Sequence, residues 1–92
     1  MDAYDQLERV DGPESFLKFV QLLIEDRERE IGKPIDLCGR GANGWENHTI
    51  EDFLEAAAAW AKDSDFGARQ GMSDESPWKR FAAFLWCGKI YE

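Results

Sequence analysis

The chain is poor in what membrane spans, disulfide scaffolds and nucleic-acid-binding domains are built from. No run approaches the roughly 20 apolar residues that a spanning helix needs, so no membrane insertion is expected. Only two cysteines occur, Cys38 and Cys87, with no Cys-x-x-Cys spacing; they read as reduced thiols. His48 is the single histidine, too few for a zinc site of ordinary spacing, and no cofactor or metal is assigned. Bases are scarce: 11 Lys and Arg face 19 Asp and Glu, a net charge of −8. Nucleic-acid phosphates and anionic membranes would repel such a surface, so a macromolecular partner is expected to be a basic protein. Met1 to Asp5 shows neither the basic start nor the apolar run of a secretory signal, which predicts a cytoplasmic protein. The Asn47-His48-Thr49 sequon then carries no weight.

What is present is helical pattern. At 92 residues the chain has room for one core, read as a single all-α domain over 1–92. Tyr4, Leu7 and Val10 fit a short helix or a single turn before the break at Asp11-Gly12-Pro13. Over 13–30, Phe16, Phe19, Val20, Leu23 and Ile24 gather on one arc at helical period, with Arg27 on the same side. Arg27 is expected to snorkel or to pair near the helix end, where its charge suits the macrodipole. Gly32 and Pro34 stop this helix, and 31–48 is a Gly-rich connector in which Ile35 to Cys38 reads as loop.

Thr49 is the expected N-cap of a helix over 49–63, with Asp52 three residues on as a short capping box. Its apolar face is Ile50, Phe53, Leu54, Ala57, Trp60 and Ala61, and the run Ala56 to Ala59 allows close approach of a neighbour. A polar loop from Asp63 to Glu75 is expected to be the most mobile part. Ser76 and Pro77 then open a helix over 77–90 that is apolar nearly all round, as for a central helix or a subunit contact. A homodimer through 78–90 is therefore one reading.

Several strings invite chemistry. Gly39-Arg40-Gly41-Ala42-Asn43-Gly44 matches G-x-G-x-x-G, but without a βαβ unit it reads as a turn-rich connector, with Asn43-Gly44 making a positive-φ turn. His48 with Glu46, Glu51 and Cys38 is the one arrangement that suggests a small metal- or ligand-dependent enzyme. Cys87, inside an apolar helix, is expected to be an inert thiol.

The charge is concentrated. Residues 1–30 hold nine acids against four bases, and 46–66 hold six against one. The carboxylates Glu51, Asp52, Glu55 and Asp63 on one helix, with Glu25, Asp26, Glu28 and Glu30 on another, read as an acidic docking face. Glu46, His48 and Trp45 complete the candidate interaction surface. Trp45 is expected to be either an exposed anchor or a staple folded back onto the helix.

Trp45-Glu46-Asn47, Phe53-Leu54-Glu55-Ala56 with Trp60, Pro77-Trp78, Phe81-Ala82, Leu85 and Ile90-Tyr91-Glu92 together resemble a family of small bacterial proteins known only as a domain of unknown function. The 39–44 string is not part of that pattern. The resemblance implies a bacterial, cytosolic domain and no particular activity. The expected fold is a bundle of three main helices with a short fourth at the amino end. The expected function is a non-enzymatic acidic interaction module, of the kind that acts as an immunity- or antitoxin-type inhibitor. The enzyme centred on His48 and the homodimer are the alternatives.

Overall fold

The computed structural model describes residues 2–33, 41 and 44–91. Among the described residues there are four α-helices: α1 Ala3–Leu7, α2 Pro13–Glu30, α3 Ile50–Ser64 and α4 Pro77–Ile90. Helix α1 is the short amino-terminal fourth helix, and a 3-10 turn at Ala68–Gln70 interrupts the polar loop. The expected loop at Ile35 to Cys38 lies outside the described residues, as do most of the 39–44 string and the Cys38 thiol. Among the described residues, no helix is long and apolar enough to cross a membrane.

Each helix starts where a side chain or proline can begin it. Thr49 Oγ1 accepts the Asp52 amide at 3.1 Å, and Ser76 Oγ accepts that of Lys79 at 3.2 Å ahead of Pro77. Ahead of Pro13, the Ser15 hydroxyl reaches back to the Gly12 amide. The first helix is short enough to need its capping box, in which Asp2 and Asp5 exchange side-chain bonds with each other's amides.

Helix α4 is central, as its all-round apolar pattern predicts: it packs on α1, α2 and α3. Its Ala82, Ala83, Gly88 and Lys89 are buried. Helix α3 lays Ala56, Ala57, Trp60 and Ala61 inward, and this is the most extensive helix pairing. A Cβ added at Gly88 would come within 2.8 Å of the Phe53 ring, so glycine is what lets that ring reach α4. Helices α2 and α3 do not pack on each other; each meets α4, leaving a cleft between them.

Two helical readings need correction. On α2 the buried line is Phe19, Leu23, Asp26 and Glu30 rather than an arc through Ile24, which is exposed. Three turns of a helix keep i, i+4, i+7 and i+11 on one stripe, and this one changes from apolar to acidic without leaving the interior. On α3, Ile50 and Leu54 belong to the apolar set by type yet are 76% and 51% exposed. They line the cleft, where no neighbouring helix among the described residues covers them.

Candidate functional site

Residues 45–49 pass between α2 and α4, and each makes a specific bond. Trp45 is only 4% exposed, so it is no surface anchor. Its indole Nε1–H donates to Asp26 Oδ2 at 2.9 Å, its amide donates to Glu30 Oε1 at 3.3 Å, and its ring stacks on Phe53 with centroids 6.0 Å apart. The folded-back alternative therefore describes the ring, with Phe53 as the staple partner. The Glu46 amide donates to the carbonyl of Lys89 at 3.0 Å. Asn47 Nδ2 donates to the carbonyls of Gly88 and Tyr91 at 2.9 and 3.1 Å, satisfying groups that the end of α4 leaves open. The His48 carbonyl accepts Arg27 Nη2 at 3.2 Å, and Thr49 caps α3. The motif at the doorstep of α3 is thus also the C-terminal clasp of α4.

At the centre of the clasp lies a buried ion pair. Lys89 Nζ is 2.7 Å from Asp26 Oδ2, with the two residues 6% and 8% exposed. Taking two charges out of water is costly, and the partners around them offset that cost. Asp26 also receives the Trp45 indole, with Arg29 at 3.7 Å from its other oxygen. The Lys89 ammonium lies 4.8 Å from the Trp86 ring centroid and 5.6 Å from that of Trp45, over π faces that attract cations. Among the described residues no buried side-chain nitrogen or oxygen is left without a partner. Asp26 and Glu30 are therefore interior groups and not part of an acidic docking face. Arg27 lies over the Trp45 ring at 5.2 Å, so its place on the apolar side of α2 is explained by an indole and a carbonyl.

The candidate surface residues separate into three groups. His48 lines the cleft between α2 and α3, a depression of about 470 Å³ with Arg27, Trp45, Ile50, Phe53 and Leu54. Glu46 lines a different depression, with Trp60, Gln70, Cys87 and Tyr91. Asp52 and Glu55 edge a shallow hollow with Asn47 and Tyr91, while Asp63 accepts the Tyr91 hydroxyl. Asp52, Glu55 and Asp63 thus lie toward Tyr91, and Glu51 does not line that hollow.

Electrostatics follow this layout. The Glu51 carboxyl is held below its usual range by a backbone amide and the Thr49 hydroxyl, so it is ionised at neutral pH. Donation to Asp63 raises the Tyr91 phenol. Burial pushes the Cys87 thiol up to about 11, in keeping with the inert thiol expected there. Among the described residues, no group of three His, Cys, Asp or Glu side chains is placed to hold a metal ion. Of the glycine string, Gly41 packs against the Glu30 carboxylate and Gly44 has φ +85°, a turn that suits glycine.

Lys89 and Asp26 are the residues that pattern reading missed. The available signal was a lone lysine on an otherwise apolar helix face, and an acid continuing the Phe19–Leu23 line.

These features define a small all-α bundle with a cleft, among the described residues, between two of its helices. The chain belongs to the family of unknown function DUF7660, whose model matches residues 13–92. The match begins at the first residue of α2, so α1 precedes it even though α1 packs on α2 and α4. No curated protein and no solved structure matches the chain.

Proposed function

We propose that the protein is a non-enzymatic binding module that docks a basic protein through the first two turns of α3, in the manner of an immunity- or antitoxin-type inhibitor acting in the bacterial cytoplasm. One observation carries this reading. Glu51, Asp52 and Glu55 are exposed beside Ile50 and Leu54, large aliphatic side chains that are also exposed. An apolar centre with a charged rim is the usual anatomy of a protein interface, and the carboxylates supply steering toward a cationic partner. Trp45 and Asp63 fall out of the contact set, since one is buried and the other bonds Tyr91. His48 stays in it as a cleft residue, and Glu46 lies to one side.

The test is affinity capture from native lysate at low salt, with the parent and with a variant carrying Glu51→Lys, Asp52→Lys and Glu55→Lys. A basic protein held by the parent, released by salt and absent from the variant's capture is the expected result. Equal capture by both forms would refute the acidic-face reading.

A second reading rests on a different patch. Phe66, Trp78 and Phe81 are exposed together, Phe66 stacks on Phe84, and Phe66, Pro77, Arg80 and Phe81 line a depression of about 220 Å³. This is the part of 78–90 through which a homodimer would form. A mass that rises with concentration and returns to monomer in Phe81→Glu supports it; a concentration-independent monomer excludes it.

A further inference from the structure

Helix α1 differs from the rest of the bundle in how it is held. Five residues are too few to stay helical without support, and this helix depends on its capping box and on the surface beneath it. It packs on both α2 and α4, with Ala3, Leu7 and Val10 buried at i, i+4 and i+7. These three join one apolar cluster with Phe19, Ala82 and Ala83, against which Phe16, Val20 and Trp86 pack. The tethers at its edges can be released without stranding a charge. Lys79 Nζ lies 3.7 Å from Glu8 but also 3.5 Å from Glu75, so it keeps an acid when Glu8 leaves. Gln6 Nε2 donates to the Ser15 carbonyl at 3.2 Å, an oxygen to which α2 supplies its own i+4 amide. Tyr4, half-exposed, meets Trp86 with ring centroids 5.4 Å apart.

The link between α1 and α2 is anchored on the α2 side. The Ser15 hydroxyl accepts the Asp11 and Gly12 amides at 2.9 and 3.1 Å, so the start of α2 stays capped whether or not α1 is docked. Asp26, Trp45 and Lys89 join α2 to α4 without α1, and among the described residues α3 does not pack on α1. The matched family domain likewise begins at Pro13, beyond α1.

We infer that α1 is a detachable lid: it leaves α2 and α4 as a unit while the rest of the bundle stays folded, and the vacated seat takes a short helix of another protein. The seat fixes the pattern of that helix, because α1 already fits it. A small residue, a leucine and a valine stand at i, i+4 and i+7, with an acid after the leucine to meet Lys79. The seat lies on α2 and α4 and is independent of the docking role proposed for α3.

Native-state hydrogen exchange of the full chain tests the opening. The Gln6, Arg9 and Val10 amides, bonded within α1 and its last turn, are expected to exchange at least about a hundredfold faster than those of Trp60 and Ala83. One common rate for all of them would make α1 integral to the bundle and overturn the lid. The seat is probed with a peptide of residues 1–12, followed by the indole N–H resonance of Trp86 in isotope-labelled protein. Asp2→Ala with Asp5→Ala removes the capping box at two exposed positions, and Tyr4→Ala, also at an exposed position, loosens α1 by a second route. Each variant is expected to keep the fold and to bind the peptide at least about tenfold more tightly than the parent, in which the tethered α1 competes. A peptide carrying Leu7→Asp is expected not to bind. Equal binding by parent and variants, binding that Leu7→Asp leaves intact, a Trp86 resonance that does not move, or no binding at all overturns the seat. A variant that dimerises, and that the peptide returns to monomer, would make α1 of a second copy the occupant and overturn the assignment to another protein.

Discussion

The two junctions that α4 makes with its longer neighbours are built on opposite principles. Toward α3 the contact is one of size: Ala56, Ala57 and Ala61 are buried on α3, and Gly88 on α4 admits the Phe53 ring. Toward α2 it is one of charge and hydrogen bonds, with Asp26 and Lys89 joined through the interior and the Trp45 indole donating to the same carboxylate oxygen. Small residues allow many helix pairings of similar energy, whereas a buried ion pair tolerates few. The α3 junction thus supplies apolar burial, and the α2 junction ties three distant stretches of chain, around residues 26, 45 and 89, into one arrangement.

That contrast can be broken from either side. Trp45→Ala removes the buried ring that stacks on Phe53 and a donor to Asp26, and is expected to cost about 3–5 kcal/mol by chemical denaturation. Hydrogen exchange should then show lost protection at the end of α2 and around 45–48, while α3 amides facing α4 stay slow. Equal loss at both junctions would mean that they are not independent. Gly88→Ala attacks the other junction: the new methyl meets the Phe53 ring, at a cost of about 1–3 kcal/mol. Because the Phe53 ring stacks on Trp45, the same variant should also disturb the indole N–H resonance of Trp45 in isotope-labelled protein. Asn47→Ala leaves the Gly88 and Tyr91 carbonyls without their shared donor and should cost about 1 kcal/mol, read as a lowered denaturation midpoint.

The smallest effect is alkaline. The native state holds the Cys87 proton more tightly than the unfolded chain, from 9.0 up to about 11, and the Tyr91 phenol is raised in the same direction. The unfolded chain therefore loses these protons first, so stability is unaffected below pH 9 and falls as pH rises through the window toward 11. Melting temperatures at pH 8 and 10.5 should differ less in Cys87→Ala than in the parent.

How much of this was legible in sequence follows from the same contrast. Helix spans, caps and the small-residue face of α3 were readable because they are local: Thr49, Ser76 and Pro77 mark helix starts, and a 3.6-residue period places Ala57 and Trp60 inward. The α2 junction was not readable, because hydropathy assigns Asp26, Glu30 and Lys89 to solvent. Their burial depends on partners 19 and 63 residues away from Asp26. Trp45 was readable as a helix-entry aromatic but not as a hydrogen-bond donor to α2. The acidic docking face was read too broadly for the same reason: composition counts carboxylates, and only tertiary structure separates Asp26 and Glu30 inside from Glu51 and Glu55 outside.

The central claim is that Asp26 and Lys89 act as a unit that clasps the bundle, and a double-mutant cycle tests it most directly. Asp26→Ala and Lys89→Ala are each expected to cost about 3–5 kcal/mol, since either leaves an uncompensated buried charge. Removing both should cost little more than removing one, a coupling of about 2 kcal/mol or greater. Costs that add to within about 0.5 kcal/mol would show that the two residues contribute separately and would contradict the clasp.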